Sequence, residues 1–86
     1  MEVKKLVGWN LRKLRVAKGY TIEELADRAN SDSSFIARLE RGQVNVGVVK
    51  LEQLAKSLGA KLADFFAEPD PGAKPPRPLS AGRKRV

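Results

Sequence analysis

A cluster of small and basic side chains near the middle of the sequence could read the edges of DNA bases. At helical spacing, four of its members fall on one face of a predicted helix: Ser33, Ser34, Ala37 and Arg38. Small residues let a helix approach base edges closely, and one Arg can contact guanine through two parallel hydrogen bonds. A plain helical hairpin with a solvated polar face has the same pattern, so spacing alone leaves both interpretations open.

The residues around this face predict two helices joined by a tight turn. Residues 21 to 24, Thr-Ile-Glu-Glu, form a capping box that begins the first helix, which ends near the turn at residues 29 to 31. The second helix follows with Asp32, or alternatively Ser31, as its N-cap and continues to Gly42. Because so short a turn forces the helices to cross steeply, the polar face of the second helix should project away from the core.

Apolar residues at helical spacing predict three further helices. They cover residues 3 to 18, 48 to 58 and 62 to 66. The apolar stripe of the first consists of Val3, Val7, Leu11 and Leu14. No segment alternates with a period of two, so the expected fold class is all-α: a compact domain of five short helices over residues 1 to 67.

Residues 68 to 86 differ sharply in composition from the rest of the chain. They contain all five prolines and end in Arg83, Lys84 and Arg85. With little apolar surface to bury, such a segment cannot offset the entropy lost on ordering, so we expect a disordered, basic, Pro-rich tail.

The overall charge favours a polyanionic partner. Seventeen Lys and Arg against ten Asp and Glu give a net charge of +7. Nucleic acid is the first candidate, an acidic membrane surface the second, and a solvated basic surface without a partner the third. Membrane attachment would need an amphipathic basic helix, which the Pro-rich tail cannot supply.

Several classes of function are disfavoured by residues that the sequence lacks. There is no Cys and no His, and neither a phosphate-cradling Gly-rich loop nor a metal-binding helix motif occurs. We therefore expect no enzyme, no metal, no cofactor and no small-molecule ligand. No apolar stretch approaches the ~18 residues of a membrane span, and no signal peptide is recognisable, so the expected location is the cytoplasm.

Several separated motifs, in order and at matching spacing, resemble the Cro/repressor (XRE) family of helix-turn-helix regulators. They are TIEELA at residues 21 to 26, SFIARLERG at 34 to 42, LAK at 54 to 56, Leu58-Gly59, and LADFF at 62 to 66. The resemblance covers about residues 7 to 67 and implies the five-helix repressor fold and sequence-specific binding to duplex DNA. Restriction–modification controllers and short phage-type repressors are similar in size, and residues 45 to 52 are similar to the controller group.

The resemblance also implies roles for individual residues. The base-facing positions of the family's recognition helix are occupied here by Ser33, Ser34, Ala37 and Arg38. Gln43, Val44 and Asn45 lie in the loop that approaches a phosphate in this family. Arg15 and Glu40 match a buried structural ion pair between the helix over residues 3 to 18 and the end of the helix that precedes Gly42. An Arg fork suits such a carboxylate better than Lys would.

The chain departs from the family pattern at the start of the helix that follows Thr21. The family usually has Gln there, contacting the DNA backbone, whereas this chain has Ile22, which cannot donate. We expect Thr21 or Lys18 to replace that phosphate contact. Arg41, one turn beyond Arg38, is expected to meet a phosphate or solvent.

A second departure is Val46, where the family often has Pro. It belongs to an apolar run that could be core or interface: Val44, Val46, Val48 and Val49.

Target geometry predicts a homodimer. One recognition helix reads only a few base pairs, whereas two helices related by a twofold axis read a palindrome with half-sites about one DNA turn apart. The candidate dimer interface is led by Leu62, Phe65 and Phe66, although ordinary core residues would show the same pattern. The rival hypothesis is a protein-binding module of the same fold, such as an antitoxin or an adaptor.

Overall fold

A computed structural model describes residues 1 to 70 and Gly72. Within them the chain forms four α-helices, one short 3-10 helix and no strand. The elements are α1 (Val3–Ala17), α2 (Ile22–Arg28), α3 (Ser33–Glu40), α4 (Val48–Leu58) and a 3-10 helix (Leu62–Phe66). The predicted all-α class is confirmed, and the fifth element is a 3-10 helix. Most of the predicted tail, with its three terminal basic residues, lies outside the described residues.

Local hydrogen bonds set the limits of α2 and the turn after it. The Thr21 hydroxyl accepts from the Glu24 amide at 3.0 Å, and the Glu24 carboxylate accepts from the Thr21 amide at 2.8 Å, which confirms the capping box. Asn30 takes a left-handed conformation with φ of 52°, and the Ser31 amide returns to the Ala26 carbonyl at 2.7 Å. Asp32 occupies the N-cap position of α3 without a side-chain hydrogen bond.

A single apolar core lies between the helices and the 3-10 helix. Its largest fully buried side chains are Leu11, Leu25, Ile36, Leu39, Leu54 and Phe65. The predicted stripe of α1 is wrong at its first position, because Val3 is exposed while Leu6 and Asn10 are buried. The inner face of α1 is thus rotated toward the side on which the 3-10 helix packs.

The apolar run after α3 is divided between core and surface. Val44 and Val46 are partly buried and pack against the core. Val48 and Val49, in the first turn of α4, are exposed. The run therefore anchors the loop through two valines and leaves two others uncovered.

Gly8 allows α1 to lie directly against the C-terminal end of α3. A Cβ at this position would lie 2.5 Å from the carbonyl oxygens of both Leu39 and Glu40. Real Cβ atoms essentially never approach so closely. The contact fixes the position of the C-terminal end of α3 relative to α1, and with it the direction in which the outer face of α3 points. Among the described residues, no helix has the length and apolar character needed to cross a membrane.

Candidate nucleic-acid interface

Helix α3 buries one face and presents the other. Ile36 and Leu39 are buried in the core. On the opposite side Ser34 and Arg38 are exposed, and Ser33 and Ala37 are partly exposed. The structure therefore brings together, on one accessible surface, the four residues that were predicted to contact bases.

The C-terminal end of α3 is locked to α1 by an ion pair. The Arg15 guanidinium donates from Nε to Oε2 of Glu40 at 2.6 Å and from Nη2 to Oε1 at 3.0 Å. Its Nη1 donates to the Tyr20 carbonyl oxygen at 2.8 Å, so the same side chain also holds the segment before α2. The side chains of Arg15 and Glu40 are only 4% and 6% exposed. Because the two parallel bonds to Glu40 come from one planar group, they fix the end of α3 in both position and orientation relative to α1.

The loop that follows α3 presents its polar side chains and hides its apolar ones. Gly42 takes a left-handed conformation with φ of 73°, and the Gln43 amide donates to the Arg38 carbonyl at 3.0 Å. Gln43 and Asn45 are exposed, whereas Val44 between them packs against the core. The loop thus holds both polar residues beside the end of α3, where a DNA backbone could pass.

The three remaining candidate phosphate contacts are placed unequally. Arg41, the C-cap residue of α3, is exposed. Thr21 is buried, and its hydroxyl oxygen already accepts the capping hydrogen bond of α2. Lys18 is exposed, and its ammonium group lies beside Gly59, the C-cap residue of α4. A cation there is favoured by the helix dipole.

The candidate dimer interface is only partly available to a partner. Leu62 and Phe66 are 40% and 45% exposed, whereas Phe65 is completely buried. The expectation for Phe65 needs correction, because its side chain belongs to the core of its own chain. Phe66 also lines an apolar groove with Val3 and Val48, both of them exposed.

Sequence reasoning missed two contacts near these surfaces. The Asn10 side chain is buried and donates to carbonyl oxygens of the 3-10 helix and the residue after it. Its place among Leu6, Val7 and Leu11 on the inner face of α1 was a signal that a polar side chain would be buried there. The Arg28 guanidinium lies 4.4 Å from the centre of the Tyr20 ring, a cation–π contact that spacing does not reveal.

The acidic side chains of the described residues do not gather into a cluster. No group of three or more His, Cys, Asp or Glu side chains that could hold a metal ion occurs among the described residues. The surface formed by α3 and the loop after it presents exposed hydrogen-bonding side chains and cations, which suits recognition of a polyanion.

Comparison with known proteins places this geometry among regulators of transcription. A helix-turn-helix family model (HTH_3) matches residues 11–65. An uncharacterised HTH-type transcriptional regulator, y4dJ, of Sinorhizobium fredii is 37% identical over 70 residues, which are 81% of this chain and 91% of the relative.

Solved structures of restriction–modification controller proteins share the fold. C.AhdI from Aeromonas hydrophila is 38% identical with a TM-score of 0.71, over 73% of this chain and 96% of the controller. C.Esp1396I, solved as a tetramer with its natural 35 base-pair operator, is 32% identical with a TM-score of 0.70, over 77% of this chain and 87% of the controller. These relatives are transcriptional regulators and controllers, as the resemblance in the sequence implied.

Proposed function

The chain belongs to the XRE-type helix-turn-helix family of transcriptional regulators, and on that premise we propose that it binds a palindromic operator in duplex DNA as a homodimer. The observation that carries the proposal is the outer face of α3. This face combines two small hydroxyl side chains with a single exposed Arg, on a helix whose end is held by the Arg15–Glu40 pair. A rigid helix with small side chains and one Arg fork is suited to the major groove, where guanine offers two acceptors.

Contacts to the DNA backbone are assigned to the residues that flank α3. Gln43 and Asn45 are exposed on a loop anchored by Val44, and Arg41 is exposed at the end of the helix. Amide side chains and a guanidinium can all donate to phosphate oxygens. Such contacts set the register of α3 in the groove without reading sequence. Lys18 and Thr21 are weaker candidates, because one lies beside α4 and the other is occupied in the cap of α2.

A second copy of the chain is the proposed partner at the exposed apolar surface. Leu62 and Phe66 lie on the 3-10 helix, and the groove that Phe66 lines extends this surface to Val3 and Val48. Large exposed apolar side chains gathered on one surface mark an interaction site. The controller C.Esp1396I forms a tetramer on its operator, which supports an oligomeric mode of binding.

Selection of bound sequences from random duplex DNA tests the proposal. With the full chain as bait, we expect a twofold-symmetric consensus whose half-sites lie about one DNA turn apart. Sedimentation of the free protein is expected to give twice the mass of one chain. Recovery of no sequence preference over random DNA would contradict the proposal and favour the protein-binding module. Enrichment of a single asymmetric half-site would contradict the homodimer only.

A further inference from the structure

One buried amide joins helix α1 to the segment that carries the exposed Phe66. Asn10 is only 4% exposed. Its Nδ2 donates to the carbonyl oxygens of Ala67 at 2.8 Å, Phe65 at 2.9 Å and Leu6 at 3.1 Å. The two shortest bonds are those to the end of the 3-10 helix. Because an amide nitrogen carries only two protons, the longer bond to the Leu6 carbonyl must share a proton with one of them.

The 3-10 helix depends on these bonds because its last carbonyl groups have no partner within it. A helix of five residues leaves the carbonyls of its final turn unpaired, and here α1 supplies the donor from outside. The two carbonyls that Asn10 holds belong to the residues on either side of Phe66. One side chain therefore fixes the backbone on both flanks of the most exposed aromatic residue in the described chain.

We infer that Asn10 is a positioning residue for dimerisation: it holds the backbone around Phe66 in the conformation that binds the partner subunit. The inference rests on the proposed homodimer. A segment whose backbone is already fixed before association loses less freedom on binding, so Phe66 on a held backbone contributes more affinity than Phe66 on a mobile one. Phe65 belongs to the same arrangement, because its buried ring fixes the inner side of the 3-10 helix while Asn10 fixes its end.

The test compares dimer dissociation constants, measured by sedimentation of the full chain without DNA. Asn10→Leu keeps a side chain of similar size but removes the donor, and we expect the dissociation constant to rise by about tenfold or more. Ala26→Gly is the matched control, because it weakens the folded state through helix propensity and the loss of a buried methyl group in α2, an element other than the 3-10 helix. Its dissociation constant should change less than about twofold. If Asn10→Leu does not fold, Asn10→Ala gives the same comparison.

A double-mutant cycle separates positioning from general stability. Phe66→Ala alone should raise the dissociation constant, and adding Asn10→Leu to it should change the value by less than about twofold. Equal effects of Asn10→Leu and Ala26→Gly would overturn the inference, and so would an undiminished effect of Asn10→Leu in the Phe66→Ala background. A wild-type chain that stays monomeric would overturn the proposed homodimer as well. A dimer in which Phe66→Ala weakens association but Asn10→Leu does not would overturn the positioning role alone.

Discussion

At the scale of single residues, Arg38 is the residue best suited to read a base. Of the four outward residues of α3, it alone has a fork that matches the N7 and O6 acceptors of guanine, a pairing worth ~1–3 kcal/mol of discrimination. Arg38→Ala should therefore relax the preference at one symmetric pair of operator positions while the fold stays intact. Repeating the selection of bound sequences with the variant measures this directly.

Arg41 provides the matched control for that experiment. It is the same residue type, is also exposed, and lies three residues further along, at the C-cap of α3. A contact to phosphate carries no sequence information, so Arg41→Ala should lower affinity evenly across sequences. An unchanged base preference for Arg38→Ala, or a changed one for Arg41→Ala, would contradict these assignments.

The Arg15–Glu40 pair is predicted to be essential for stability. Both side chains are buried, and removing one strands the other charge away from water. Glu40→Ala should therefore cost about 3–5 kcal/mol of unfolding free energy, much of the total of a small domain. Urea denaturation followed by circular dichroism measures the change. Glu52→Ala, at an exposed position of α4, is the control and should stay within about 0.5 kcal/mol of the parent. Equal midpoints for the two variants would contradict the prediction.

At the scale of the elements, local sequence signals were sufficient to place the helices. The capping box at Thr21, the turn at residues 29 to 31 and the apolar spacing all depend on residues close together in the chain, so the sequence alone reveals them. The rotation of α1 depends instead on what packs against it, which is why Val3 was expected inside and Asn10 was overlooked.

In the 3-10 helix too, the local sequence does not reveal which side chains are buried. Its three large apolar residues look alike in sequence, and only the fold decides which of them the core receives. Phe65 is buried, whereas Leu62 and Phe66 are exposed. The outer face of α3 could be foreseen because a helix with a well-defined buried face leaves only one direction for its polar residues.

The close packing of α1 on α3 predicts that replacing Gly8 by Ala destabilises the protein, although a Gly-to-Ala change in a helix usually stabilises it. Replacing a Gly inside an exposed helix by Ala normally stabilises a protein by about 0.5–1 kcal/mol. At Gly8 the added methyl group would meet two backbone carbonyl oxygens of α3, which cannot move aside as a flexible side chain could. Gly8→Ala should instead lower the unfolding free energy by about 1–3 kcal/mol, as overpacking does elsewhere.

Gly47→Ala is the control for Gly8, measured by the same denaturation experiment. Nothing lies within 4 Å of a Cβ built at Gly47, and its φ of −71° suits any residue. Gly47 is the N-cap of α4, a position where Ala is unfavourable, so a loss of up to about 1 kcal/mol is expected. A Gly8→Ala variant that is as stable as the parent would show that α1 and α3 can separate without cost.

At the scale of the whole molecule, the charge is spread over both parts of the chain. Residues 1 to 67 hold twelve basic and eight acidic residues, and residues 68 to 86 hold five basic and two acidic ones. A contact with phosphate releases condensed counterions, so affinity for DNA should fall steeply as the salt concentration rises. Because the helix face that could read bases lies within the first part, the basic end of the chain is expected to add affinity without adding specificity.

Deleting residues 68 to 86 should therefore weaken binding to operator and random DNA by similar factors and make the salt dependence shallower. If the cations at Arg83, Lys84 and Arg85 each meet a phosphate, the slope of log affinity against log salt should flatten by up to about three. Titrations of both duplexes at several salt concentrations measure the two effects together. A full-length variant with these three residues changed to Gln separates charge from chain length, and should reproduce most of the effect of the deletion. If the deletion altered operator preference but left the slope unchanged, the tail would have to contact bases rather than phosphates.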